Sequence, residues 1–377
     1  MNTGYVCGNN STCLKTTNGG INWTIIFNGV NDPNYNSIYF IDNNTGYIAG
    51  DEYNFFGIIL KTTNGGINWS YQISNTTNNL NSIFVIPQTN GNIAYAVGMN
   101  GSMVKTTNGG INWYLLTSGT FYHLFSIYFT DSNTGYAVGL GRILLKTTNG
   151  GIDWTIYPMG ALDINFFSIT FVNNNTGYIS STGLGGGPEN SYCTTNSGAN
   201  WNIQPGGGGY SICFPLSNTG FSVGRVGYIS KTNNSGSNWF GQVSGTTKDL
   251  HSVFFINQNT GWAIGDSGII LKTTNSGEPI GIRPISSDIP KDFSLSQNYS
   301  NPFNPSTTIE FALPKSSDVK IVVYDISGRK VDVLVNEKLQ AGSYRVDFNG
   351  SKLSSGVYFY KLMTDEFTQT KKMVLVK

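Results

Sequence analysis

The chain has 377 residues, a formal net charge of +1 and only 11% charged residues. Its length allows two or three domains with substantial cores. The sparse charge excludes the concentrated basic surface that nucleic acid requires, and the lack of any run of about 18 apolar residues excludes a membrane-spanning helix. Forty-seven glycines and 13% aromatics suit short strands, tight turns and large rings between sheets.

Along the chain, KTTNGGINW stands at 15–23, 61–69 and 105–113, and KTTNGGIDW at 146–154. Looser copies follow at 193–201, 231–239 and 272–280. The element NTGY, or a variant of it, precedes each copy: at 2–5, 44–47, 133–136, 175–178, 218–221 and 259–262, with GNIAY at 91–95. That makes seven units, and a fixed period of this size signals a repeat architecture. In the fourth unit, FSIYFT (125–130) reads as strand A, apolar on both faces. YAVGL (136–140) reads as strand B, RILLKT (142–147) as strand C, and strand D starts at Trp154. Four strands per unit predict a propeller blade, and no segment keeps a helical apolar period.

Asn18, Asn64, Asn108, Asn149 and Asn196 are placed to bond nearby backbone as Asx turns, beside glycines suited to positive φ. Trp23, Trp69, Trp113, Trp154, Trp201 and Trp239 are expected to wedge each blade against its neighbour. The lysine that opens six of the copies (Lys15, Lys61, Lys105, Lys146, Lys231 and Lys272) reads as a solvated strand end. In Thr62, Asn64, Gly66, Asn68 and Trp69 the turn resembles the Asp-box (BNR repeat) of sialidases and related propellers, with Asn replacing Asp. Together with NTGY, the pattern over residues 2–280 is similar to the propeller of photosystem II stability/assembly factors.

Charge changes near residue 280. Residues 1–280 hold nine Lys/Arg and eleven Asp/Glu, and the shorter remainder holds thirteen and ten. The expected fold class is therefore all-β: a seven-bladed β-propeller at 1–280, a linker at 281–292 and an immunoglobulin-like β-sandwich at 293–377. QNYSNPFNPST, VYDISGRKV, LSSGVYFYKL and the ending KKMVLVK resemble the type A sorting domain of type IX secretion. That resemblance implies the type IX machinery as a partner, and a secreted or outer-membrane surface-attached location. Such cargo needs a signal peptide, and MNTGYVCGNN has no basic or apolar leader. Met1 also aligns with Ser132, inside a blade. The natural protein is therefore expected to extend upstream with a signal peptide and an IYF-type strand.

Cys7 and Cys13 flank a short turn and can face each other across a hairpin, where an oxidising compartment would allow a bridge. Cys193 and Cys213 fall in successive repeats, and no spacing resembles a zinc site. The AB and CD turns barely vary. The BC and DA loops vary greatly, and variable loops on a scaffold are where function usually resides. The candidate ligand-binding residues on that face are Tyr35, Tyr53, Phe56, Tyr122, His123, Arg142, Tyr210 and Arg225. Rings beside few charges suit a glycan or a protein partner.

Residues 1–280 hold only Arg142 and Arg225, too few for the arginine triad of sialidases. Asp51, Glu52, Asp163, Glu189, Asp249 and Asp266 are the carboxylates placed to form a glycosidase pair, but none sits in a recognisable motif. His123 and His251 are the only histidines, and no nucleotide loop or Ser-His-Asp signature is present. No catalysis, cofactor or metal is expected. A glycoside hydrolase acting from the variable face is the alternative.

Overall fold

A computed structural model describes the chain except residues 1, 28–31, 53–55, 158, 161–163, 184–188, 278–282, 287–288 and 352. It forms two units, Met1–Gly277 and Glu278–Lys377. The first contains seven antiparallel sheets in sequence order. In blade 4 the strands are Leu124–Phe129, Gly135–Gly139, Leu144–Thr147 and Thr155–Ile156, each hydrogen-bonded to the next. Blades 2 to 6 have four strands. Among the described residues the first has three, Gly4–Cys7, Cys13–Thr16 and Thr24–Phe27, which correspond to B, C and D. Among the described residues the seventh also has three, Leu250–Phe255, Gly261–Gly265 and Ile269–Thr273, which correspond to A, B and C.

The box turn is built by one side-chain pair. Thr106 Oγ1 donates to Asn108 Oδ1 (3.1 Å) and accepts from Gly110 N (2.9 Å), while Asn108 Oδ1 also accepts from Asn112 N (3.0 Å). The same threonine-to-asparagine bond recurs in all seven boxes. Only the amide oxygen is used at Asn108, which explains why asparagine serves where a carboxylate would. Asn108→Ala is expected to cost about 1–2 kcal/mol, as loss of a capping side chain does, and Asn108→Asp to stay near wild type. Urea midpoints of the two variants check this, and equal loss in both would contradict it.

The blades interlock through rings. Tyr95 of blade 3 stacks on Phe129 of blade 4 (4.0 Å), which stands edge-on to Trp154 (6.0 Å). Tyr5–Phe40–Trp69, Tyr136–Phe171–Trp201 and Tyr178–Phe214–Trp239 repeat this arrangement. Blade 3 has Val85 where blades 2 and 4 to 7 have Phe, so Tyr47 meets Trp113 directly at 6.4 Å.

The lysines are not solvated strand ends. Lys15, Lys61, Lys105, Lys146 and Lys272 donate to the box carbonyls of Gly65, Gly109, Gly150, Ser197 and Gly19 in the next blade, at 2.6–2.8 Å. The tyrosine hydroxyls of Tyr47, Tyr95 and Tyr136 donate to the same carbonyls as their blade's lysine. Burial lowers the pKa of Lys61, Lys105 and Lys146. The Lys272–Gly19 bond joins the seventh blade to the first, so the ring closes.

Cys7 and Cys13 pair directly across the first hairpin, and all four cysteines are thiols. Burial pushes the Cys13 thiol up to about 12 and that of Cys213 up to about 11.

The second unit is a sandwich of two four-stranded antiparallel sheets around Phe303, Ile309, Phe311, Ile321, Val323, Tyr360 and Leu375. Part of the expected linker belongs to it: Arg283–Ser286 pairs with Gly342–Asn349. The NPFNP segment is structural. Phe303 is buried, its N–H donates to Val374 O (2.9 Å) and its carbonyl accepts from Val376 N (3.0 Å), tying the motif to the C-terminal strand. Asn298 is buried beside it. Its N–H donates to the Tyr360 hydroxyl and its amide donates to Ser300 O and Thr307 Oγ1.

Candidate functional site

Strand A carries a repeated register, polar–apolar–x–Ser–Ile/Val–x–Phe, and each position has one job. The apolar position is core: Tyr35 is 2% exposed among Cys13, Ile48, Ile58 and Leu60. Tyr35 is therefore not on a ligand-facing surface, because inner-strand alternation turns it inward.

The polar position caps the preceding blade. Asn10, Asn100, Gly141 and Val226, each at positive φ, donate their N–H to Asn34 Oδ1, His123 Nδ1, Asn165 Oδ1 and Asp249 Oδ1. His123 is thus engaged by Asn100 N at 3.0 Å. Four BC loops, expected to differ, share one short turn at Met99–Gly101, Leu140–Arg142, Arg225–Gly227 and Asp266–Gly268. They differ only in the side chains they present.

Arg142 lies in one of these turns and staples its loop. Its guanidinium donates to the Tyr192 hydroxyl (2.8 Å) and to Met159 O (3.1 Å). Phe56 and Tyr122 are exposed, at 52% and 42%. Tyr53 and Asp163 lie outside the described residues. Asp51 is held by the amides of Asn34 and Asn36.

Tyr210 and Arg225 do come together: Arg225 Nε donates to the Tyr210 hydroxyl at 3.0 Å. Tyr210 belongs to a row that inspection of single loops misses. The x position before the serine is Asn36, Asn81, Phe125, Phe167, Tyr210 and His251 in blades 2 to 7. Phe125 stacks on Phe167 (5.0 Å), Phe167 meets Tyr210 edge-on (5.1 Å), and Tyr210 stacks on His251 (5.3 Å). These four rings form a continuous arc across blades 4 to 7. Aligning the repeats at the serine would have revealed it.

Charge gathers at one end of the arc. His251 Nε2 lies 2.7 Å from Asp266 Oδ1. Glu189 is half-buried, with Arg225 and Asp249 as electrostatic neighbours. Burial raises the Glu189 pKa and Asp249 adds to the rise, while Arg225 opposes it. Val226, a β-branched residue at φ 52° and 68% exposed, sits beside Arg225, and backbone strain of this kind concentrates at functional sites.

A carboxyl whose pKa is raised by folding binds its proton more tightly folded than unfolded, so its contribution to stability falls as pH rises above its ordinary value near 4.5. Glu189→Gln is therefore expected to raise the melting temperature at pH 7 and to leave it unchanged at pH 4. Thermal scans at the two pH values decide this, and a gain of equal size at both would refute the assignment.

Among the described residues no group of three His, Cys, Asp or Glu side chains could hold a metal ion. No described helix is long and apolar enough to cross a membrane.

Comparison with known proteins places these observations. The family model described as photosynthesis system II assembly factor YCF48 matches residues 1–121 and 116–248. The model of the secretion system C-terminal sorting domain matches residues 297–377. Among solved structures, YCF48 bound to D1 peptide is 20% identical, with a TM-score of 0.59 over 72% of this chain and 88% of that one. YCF48 from Cyanidioschyzon merolae is 19% identical, with a TM-score of 0.56 over 72% and 91%. An ancestral GH74 enzyme is 16% identical, with a TM-score of 0.57 over 98% of this chain and 60% of that one. At these identities the likeness is one of fold. No curated protein sequence matches.

Proposed function

This chain belongs to the photosynthesis system II assembly factor YCF48 family, and from that premise we propose that it is an exported, non-catalytic binding propeller. Its sorting domain delivers it to the cell surface or beyond, and its variable face holds a glycan or a protein segment. The observation that carries this reading is the Phe125–Phe167–Tyr210–His251 arc, with Arg225, Glu189, Asp249 and Asp266 at one end. Ring faces supply apolar contact at low entropic cost, and the charged end supplies direction. The relative solved with D1 peptide supports a peptide as one class of occupant. An address outside the cell separates the partner of this chain from a photosystem.

The test combines an array of glycans with capture from native envelope fractions, followed by calorimetry on whatever binds. The double variant Tyr210→Ala/His251→Ala is expected to weaken binding at least about tenfold, the 1.4 kcal/mol that a ring pair contributes. Unchanged affinity in that variant would remove the arc as the site.

One observation favours a second reading. Burial raises the pKa of Glu189, which has Asp249 as an electrostatic neighbour, and a glycosidase works with two carboxyl groups, one of them kept acidic by its surroundings. Turnover of an oligosaccharide, abolished by Glu189→Gln, would establish it over the binding-only reading.

A further inference from the structure

Among the described residues blade 1 has no inner strand of the kind that blades 2 to 7 possess, and in its place is an open groove of about 620 Å³. Among the described residues Gly4–Cys7 is hydrogen-bonded to Cys13–Thr16 on one side only. The walls include Val6, Trp23, Ile38, Ser252 and Trp262 from blades 1, 2 and 7.

Each feature of the groove is the imprint of a strand seen elsewhere. In blades 2, 4, 5, 6 and 7 the glycine of NTGY lies under the phenylalanine ring of its own strand A: Gly46 under Phe40, Gly135 under Phe129, Gly177 under Phe171, Gly220 under Phe214 and Gly261 under Phe255. Gly4 has no such ring over it. At the far end of strand B, Gly50, Gly98, Gly139 and Gly265 are pressed against the strand A carbonyls of Asn34, Asn79, His123 and Asp249, whereas Gly8 has open space. Trp262 and Trp23 flank the slot, as Tyr95 and Trp154 flank Phe129. Serine hydroxyls of strand A accept the next blade's Ile or Val N–H, Ser37 from Ile83, Ser126 from Ile169 and Ser211 from Val253. At the groove, Ser252 and Ile38 stand ready on opposite walls for the same two bonds. Phe254, whose counterparts Phe84 and Tyr128 pack against the next strand, is 61% exposed.

We propose that this groove is a strand-acceptor site, and that its occupant is one more inner strand of the same repeat, an extended segment of the strand A pattern. The occupant runs antiparallel to Gly4–Cys7 and carries polar–apolar–x–Ser–Ile–x–Phe. Its phenylalanine lies over Gly4 between Trp23 and Trp262, and its isoleucine lies opposite Val6. Main-chain bonds to the free edge supply affinity, while alternate side chains supply selectivity.

The experiment adds a fluorescein-labelled peptide with the sequence of residues 33–42, PNYNSIYFID, to the purified chain and follows anisotropy and melting temperature. Saturable one-to-one binding that raises the melting temperature is expected. A control peptide carrying Ile38→Asp and Phe40→Asp should bind at least tenfold more weakly. The variant Gly8→Ala should melt like the parent, since nothing lies within 4 Å of the added methyl. It should nevertheless lose the peptide, because that methyl takes the place of the incoming carbonyl. Three results would overturn the proposal: no saturable binding, equal binding of both peptides, or full binding by Gly8→Ala. A concentration-dependent dimer released by no peptide would overturn it too, by assigning the groove to a second copy. These outcomes are independent of the variable-face site.

Discussion

Trp113→Ala is expected to cost about 3–5 kcal/mol, the range for removing a large aromatic from a packed core. Trp113 is 1% exposed and lies among Tyr47, Ala49, Ile59, Val85 and Val104, so its loss leaves a cavity between blades 2 and 3. The joint there has no phenylalanine to close over the gap, because Val85 takes that position and Tyr47 meets the indole directly. Trp69, Trp154, Trp201 and Trp239 each keep a phenylalanine beside them. Trp154→Ala is therefore expected to cost less, since Phe129 can lean into the space and Trp154 is only partly buried. Urea titrations of the two variants provide the comparison. A smaller loss for Trp113 than for Trp154 would show that the valine joint tolerates a cavity.

Gly139→Ala is expected to disrupt blade 4 by at least the 1–3 kcal/mol, roughly, that overpacking costs. A methyl on Gly139 would overlap the carbonyl oxygen of His123, a backbone atom that cannot swing aside. That carbonyl also accepts from Leu140 N at 2.9 Å, so moving it breaks the turn that carries Arg142. Gly139 has extended backbone at φ −172°, so the cost is one of space rather than of dihedral preference. Hydrogen exchange should show faster opening in Leu124–Phe129 and Gly135–Gly139, with distant blades changed little. Uniform acceleration across all seven blades would instead mean that the ring opens as one unit.

The seven sheets were legible because KTTNGG and NTGY mark both turns of every hairpin pair on one face, and Asn and Gly can serve few other purposes in such turns. The site was harder to read. Tyr35, Tyr210 and Arg142 look alike in a sequence as large or charged residues near variable loops, yet one is core, one belongs to the ring arc and one is a loop staple. What separates them is register within strand A: Tyr35 occupies the apolar position and Tyr210 the x position one residue later. The arc from Phe125 to His251 is spread over repeats more than forty residues apart, so no local window contains it. The lysines misled for a different reason. Their acceptor carbonyls belong to the next blade, and neither charge nor spacing in one repeat reveals a partner in another. In the sorting domain, NPFNP reads as a family mark, but its physical role is to fasten the final strand through Phe303.

The lysine clasp has a consequence for assembly. Because the same bond from one ammonium to one backbone oxygen recurs at five joints, that bond carries little information about which blade belongs next to which. During refolding, the lysine bond can form between the wrong blades, or in crowded solution between blades of two molecules. Identity must then come from departures such as Val85, or Ser197 where earlier boxes have glycine, together with loops of unequal length. The irregularities of this ring are its numbering.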